Sequence, residues 1–199
     1  EGIDGCGKST QLTLAHQYLL SRGLNCTITR EPGGTPIAEK IREILLASGH
    51  SAMNDRCELL LYLASRAQHV AEKIVPAVNN GMIVLCDRFS EATFAYQGYG
   101  RGVPLEVLTG LNDFSTGGIT PDYTFVLDIP VEKALERMKS MGKSPDRLEA
   151  NSIEFHRRVR QGYLELASHH PERIGVLDGG EPTGKIAGHI SATLDSLLS

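Results

Sequence analysis

The chain opens on Glu1-Gly2-Ile3-Asp4-Gly5-Cys6-Gly7-Lys8-Ser9-Thr10, and Gly2, Gly7, Lys8 and Ser9 fill every fixed position of G-x-x-x-x-G-K-[ST]. That spacing suits phosphate. Glycines at 2, 5 and 7 let the backbone turn tightly enough for its N–H groups to surround an anion. A helix starting there adds its positive end. Lys8 can then reach the β- and γ-phosphates, while the Ser9 hydroxyl can ligate Mg²⁺. The residues expected around a nucleoside triphosphate are therefore Gly2, Ile3, Asp4, Gly5, Cys6, Gly7, Lys8, Ser9 and Thr10, with Cys6 as a small filler of the loop.

A metal needs a second ligand, and two carboxylates compete for the role. Met82-Ile83-Val84-Leu85-Cys86-Asp87 is an apolar run ending in an acid, and Thr124-Phe125-Val126-Leu127-Asp128 has the same form. Periodicity does not choose between Asp87 and Asp128. Asp87 is followed by Arg88, whose guanidinium could grip a further phosphate bidentately. The plainer alternative for Asp87-Arg88 is an ion pair at a strand end.

These groups need elements to hold them. Short β-rich runs at 25–29, 82–86, 123–128 and 174–177 alternate with helical patterns at 8–22, 36–47, 55–78, 104–114, 131–141, 152–168 and 184–198. Such alternation predicts βαβ units around a parallel sheet, with chemistry at the carboxyl ends of the strands. Because a P-loop follows a buried strand, a further strand of roughly 6–10 residues is expected ahead of Glu1. The predicted fold is α/β: a P-loop domain over residues 1–199, with a five-stranded parallel sheet flanked by helices on both faces.

With 199 residues and a net charge of −4, the chain has room for one full core and lacks the basic balance of a nucleic-acid binder. No apolar run approaches the roughly 20 residues that span a bilayer. The four cysteines, at 6, 26, 57 and 86, form no C-x-x-C pair, which suggests reduced thiols in the cytoplasm. An N-K-x-D motif for guanine is missing, and this disfavours a GTPase.

The motifs taken in order resemble the thymidylate kinase family, of the bacterial kind. They are the P-loop through Gln11, then Thr29-Arg30-Glu31-Pro32-Gly33-Gly34-Thr35, Ala64-Ser65-Arg66, Asp87-Arg88-Phe89 and Ala95-Tyr96-Gln97-Gly98. Pro121-Asp122, Asp146-Arg147-Leu148-Glu149 and Arg160-Gln161-Gly162-Tyr163 complete the series over almost the whole chain. The resemblance implies transfer of the ATP γ-phosphoryl group to dTMP, with Mg²⁺ as cofactor. The acceptor's second pKa near 6 leaves it mostly dianionic, so neutralisation of charge matters more than a general base. The alternatives are another P-loop small-molecule kinase, or a non-catalytic module that binds a nucleoside triphosphate.

By the same resemblance, Arg88 clamps the dTMP phosphate, Asp87 is the Mg²⁺-linked acid and Asp4 touches the deoxyribose 3′-hydroxyl. Arg66 reads thymine, and Tyr96 crowds the sugar 2′ position. Thr93 and Gln97 are polar contacts to the base, and Arg137 lies by the adenine. Tyr62, one helical turn before Arg66, either stacks on the pyrimidine or packs in the core. Some family members carry an arginine directly after the P-loop acid; here that residue is Gly5. Charge is then expected from a lid over 139–147, through Arg147 and Lys143 as catalytic residues.

The family resemblance further implies a homodimer. In the 55–78 helix, Leu59, Leu60, Leu61 and Leu63 cover more than one stripe, since three consecutive residues span about 200°. Either a neighbouring helix of the same chain or the same helix of a second subunit must cover the excess, with Arg66 facing the other way.

Overall fold

The computed structural model describes residues 1–140, 142, 146–149 and 151–199. Four short strands form two parallel pairs. Strand β1 (Cys26–Arg30) lies beside β2 (Ile83–Asp87), in a register that brings Arg30 opposite Asp87. Strand β3 (Thr124–Asp128) lies beside β4 (Ile174–Asp178), with Asp128 opposite Asp178. A five-stranded sheet is not present among the described residues. Glu1 nevertheless makes one parallel rung with β3: its N–H group donates to Phe125 O (2.7 Å), and Leu127 N donates to Glu1 O (3.0 Å). Its side-chain Oε1 accepts from Phe89 N, just past β2 (2.6 Å). Glu1 thus sits between the two pairs.

Apart from α5, which the sequence pattern did not predict, the helices follow it closely: α1 (Lys8–Ser21), α2 (Pro36–Leu46), α3 (Asp55–His69), α4 (Val75–Asn79), α5 (Ser90–Thr93), α6 (Leu105–Thr116), α7 (Val131–Ser140), α8 (Ile153–His169) and α9 (Thr183–Leu197). Between α3 and α4 the helix runs on through one wide turn, Val70–Ile74. Pro76 explains it: its ring crowds the carbonyl four residues back and it has no N–H to return, so the backbone widens there. A second wide turn, Phe94–Gly100, continues α5 and packs on α8. No periodicity in the sequence signals this one.

The main core lies between the strand pairs and helices α1, α7, α8 and α9, around Leu19, Val126, Ile129, Val159 and Tyr163. A second cluster joins α3 to α6 through Leu59, Leu63 and Leu108. This chain's own α6 therefore covers part of the leucine surface. Leu60 stays 57 % exposed, and Phe114 on α6 is 87 % exposed.

Candidate active site

At the carboxyl end of the strands, the 2–8 loop turns back on itself. Gly2 and Gly5 have φ of +124° and +80°, and a Cβ on either would stand 2.5 Å from a backbone oxygen, of Leu127 or of Ala134. Only glycine fits both demands. Gly7 precedes α1 without any side-chain cap, so the first N–H groups of the helix are left for a ligand. The Lys8 ammonium folds over the loop, 3.0 Å from both Gly2 O and Ile3 O and 3.7 Å from Asp4. Ile3 and Cys6 are buried beneath the loop, so they can offer a ligand only their backbone. Asp4, Gly5, Gly7, Lys8, Ser9 and Thr10 line an open cleft of about 1430 Å³.

The competition between the two acids is decided by their neighbours. Arg160 holds Asp128 in a bidentate pair, Nε to Oδ1 at 2.6 Å and Nη2 to Oδ2 at 2.7 Å. Asp87 instead faces Ser9, whose hydroxyl donates to Oδ2 at 3.4 Å, while its Oδ1 is buried without a hydrogen-bond partner. A buried carboxylate oxygen with nothing to bind, next to a hydroxyl in a phosphate loop, fits a hard divalent cation.

Arg88 is the hub. Its backbone has φ of +70°, unusual for a residue with a side chain. The guanidinium donates to Asp4 Oδ1 (2.5 Å), Gly2 O (3.1 Å) and Tyr163 OH (3.2 Å). Tyr163 passes its own proton bond to Glu1 Oε2 (2.8 Å). Tyr96 OH donates to Asp4 Oδ2 at 3.1 Å, and Arg88 lies 5.0 Å from the Tyr96 ring centre. Burial pushes the Asp4 carboxyl up, but the charges of Arg88 and Lys8, with hydrogen bonds from Arg88 and Tyr96, outweigh it and hold Asp4 well below the usual carboxylate range.

A second cleft, about 650 Å³, opens on the other side of Arg88. Its walls include Tyr62, Arg66, Thr93, Tyr96 and Gln97, brought together from two separate segments as expected for the acceptor side. Burial raises the Tyr62 phenol well above its ordinary value, so Tyr62 enters as a neutral aromatic. Asp4 and Arg88 belong to the walls of both clefts.

The other arginines expected at the site are each held by partners within the protein. Arg66 is buried and makes four hydrogen bonds, to Glu31, Thr93, Asn112 and the Phe89 carbonyl. Of its five N–H donors one remains, so it is a fixed wall rather than a free arm. Arg147 lines neither cleft. Its Nη1 lies 2.7 Å from Glu58 and its Nε donates to Leu45 O at 2.8 Å. The reason is electrostatic: a fully buried carboxylate such as Glu58 must be paired. Lys143 lies outside the described residues. Arg137 donates to Gly179 O at 3.1 Å, in the loop beyond β4.

Arg42 was no candidate on sequence, and Glu31 stood there only within the Thr29–Thr35 motif with no role of its own, yet both line both clefts. Arg42 carried a usable signal. It sits in line with Ala38 and Leu45, the buried residues of α2, and an arginine in an apolar stripe has a reason to point inward. Glu31 lies at the base of a buried network, accepting from Arg66 Nε (2.8 Å) and bonded to His69 Nδ1 (2.9 Å), whose Nε2 meets Thr29 Oγ1 (2.6 Å).

The thymidylate kinase family model matches residues 1–190. The chain belongs to the thymidylate kinase family. It is a phosphotransferase that phosphorylates dTMP. It is similar to the thymidylate kinase of Trichlorobacter lovleyi, 47 % identical over 204 residues that cover all of this chain and 95 % of the relative. It is also similar to those of Geobacter sp. strain M21 (51 % over 184 residues; 90 % and 82 %) and Kosmotoga olearia (50 % over 186 residues; 94 % and 88 %). Among the described residues, no helix is long and apolar enough to cross a membrane.

Proposed function

We propose that the P-loop cleft takes ATP, the smaller cleft takes dTMP, and the two phosphates meet at Arg88. What carries this reading is the shared wall: Asp4 and Arg88 face both clefts, and Lys8 stands on the donor side. An oxygen of the dTMP phosphate attacks the γ-phosphorus, the bond from that phosphorus to the β,γ-bridging oxygen breaks, and ADP and dTDP result. Lys8 neutralises charge on the donor, and Arg88 orients the acceptor with its guanidinium fork. Ser9 and Asp87 would hold Mg²⁺, which supplies further charge neutralisation at the phosphates. Tyr62 stacks on the pyrimidine, Thr93, Gln97 and the remaining N–H of Arg66 face its polar edge, and Arg137 lies towards the adenine. Arg42 takes the place assigned on sequence to Arg147, since it stands where the two clefts join.

A coupled ADP-release assay over a panel of nucleoside monophosphates tests the acceptor. dTMP should have the highest kcat/KM, and a preference for a purine monophosphate would overturn the substrate reading.

The remaining readings are of the same kind. A single domain with a five-stranded sheet is supported by the rung Glu1 makes with β3 beside the end of β2. A cytoplasmic setting is supported by four unpaired cysteines. A homodimer through α3 and α6 is supported by the exposed Leu60, Val107 and Phe114. Light scattering at micromolar concentration should then give twice the 21.6 kDa chain mass, and a monomer mass would refute the dimer.

A further inference from the structure

We propose that Glu58 is a positioning residue that ties two segments of the acceptor cleft wall together; this rests on the reading of that cleft as the dTMP site. Glu58 lies in the first turn of α3 and is fully buried. Its Oε1 accepts from Gln97 Nε2 (3.0 Å) and Arg101 Nε (3.3 Å). Its Oε2 lies 3.2 Å from Arg101 Nη2 and 2.7 Å from Arg147 Nη1.

These partners come from two separate segments that contribute to the cleft wall. Gln97 belongs to the Phe94–Gly100 turn, which also supplies Tyr96 to the wall. Arg147 belongs to the 146–149 turn, whose Asp146, Leu148 and Glu149 also line the cleft. That turn is a unit, because Asp146 Oδ1 accepts from both Leu148 N and Glu149 N at 2.8 and 2.9 Å. Arg101 reaches it a second way, through Asn151 Oδ1 (3.0 Å), whose amide donates to Leu148 O (2.8 Å). One buried carboxylate therefore ties a base-side residue to the 146–149 turn. A buried charge pulled from its partners is costly, so either segment moves only by breaking that ion cluster. Glu58 never meets the substrate; it acts through Gln97 and Arg147.

The test is steady-state kinetics of Glu58→Gln with each substrate varied in turn. The KM for dTMP should rise by about tenfold or more, while the KM for ATP stays within about twofold. Glu91→Gln is the control, since Glu91 is also buried and pairs with Arg173, and neither of the two lines a cleft. It should lower thermal stability without splitting the two KM values. Arg147→Met covers the case in which Glu58→Gln does not fold, and should give the same split. An unchanged KM for dTMP, an equal rise for ATP, or the same split in Glu91→Gln would each overturn the role. If wild-type enzyme prefers another monophosphate, the dTMP reading fails, and the split measured with that acceptor still judges Glu58.

Discussion

Replacing Arg88 by lysine keeps the charge and removes the fork, so it isolates what geometry contributes. In the structure the guanidinium is oriented by three hydrogen bonds, to Asp4, Gly2 O and Tyr163 OH, while facing both clefts. A lysine ammonium is a single point with no planar fork and cannot hold three divergent partners and a phosphate at once. Hydrogen bonds to charged groups contribute about 1.5–3 kcal/mol each. Losing one leaves a deficit of about 1.5–3 kcal/mol, or roughly a 10- to 150-fold fall in kcat/KM for dTMP. The positive φ at residue 88 is the same problem for lysine as for arginine, so the comparison is fair on the backbone. ADP release coupled to NADH oxidation, with dTMP varied at saturating ATP, measures it. A variant within about threefold of wild type would show that charge alone suffices and that the fork argument is wrong.

Lys8→Ala should keep the fold and lower kcat by about a hundredfold or more, because the lost charge acts where negative charge builds up; single-turnover rates near wild type would remove Lys8 from the mechanism. Tyr96→Phe loses only the hydrogen bond to Asp4, whereas Tyr96→Ala opens the cleft. Only the alanine variant should therefore accept ribonucleoside monophosphates, and equal discrimination in both would refute a steric role. Asp4→Asn should be less stable than wild type at neutral pH. A carboxyl held low in the folded state contributes stability that is full above about pH 4, the unfolded aspartate value, and is lost as pH falls through the folded pKa. Denaturant midpoints of the two proteins should thus converge as pH drops below about 4, and a gap that widens there would contradict the assignment.

What the sequence determined by itself is local. Glycine spacing set the loop at 2–8, because a φ near +100° is a property of the residue itself. Apart from α5, strands and helices from 8 to 197 followed from periodicity, with ends shifted by a residue or two. The wide turn at Phe94–Gly100 could not be read that way. Its glycines and aromatics have poor helix propensity, and packing on α8 holds it, with Tyr99 against Gly162. The acids Asp87 and Asp128 end strands of the same form, and only α8, bringing Arg160 more than thirty residues after Asp128, pairs that acid with an arginine, while Asp87 is left to the Ser9 hydroxyl. Arginines show the limit most clearly. Arg66, Arg88, Arg101 and Arg147 carry the same charge and the same long stem, and nothing local to each tells where it ends. Their destinations are fixed by buried carboxylates far away in the chain, Glu31 for Arg66 and Glu58 for Arg101 and Arg147. An unpaired buried charge is too costly to leave, and which carboxylates become buried is decided only when the helices pack.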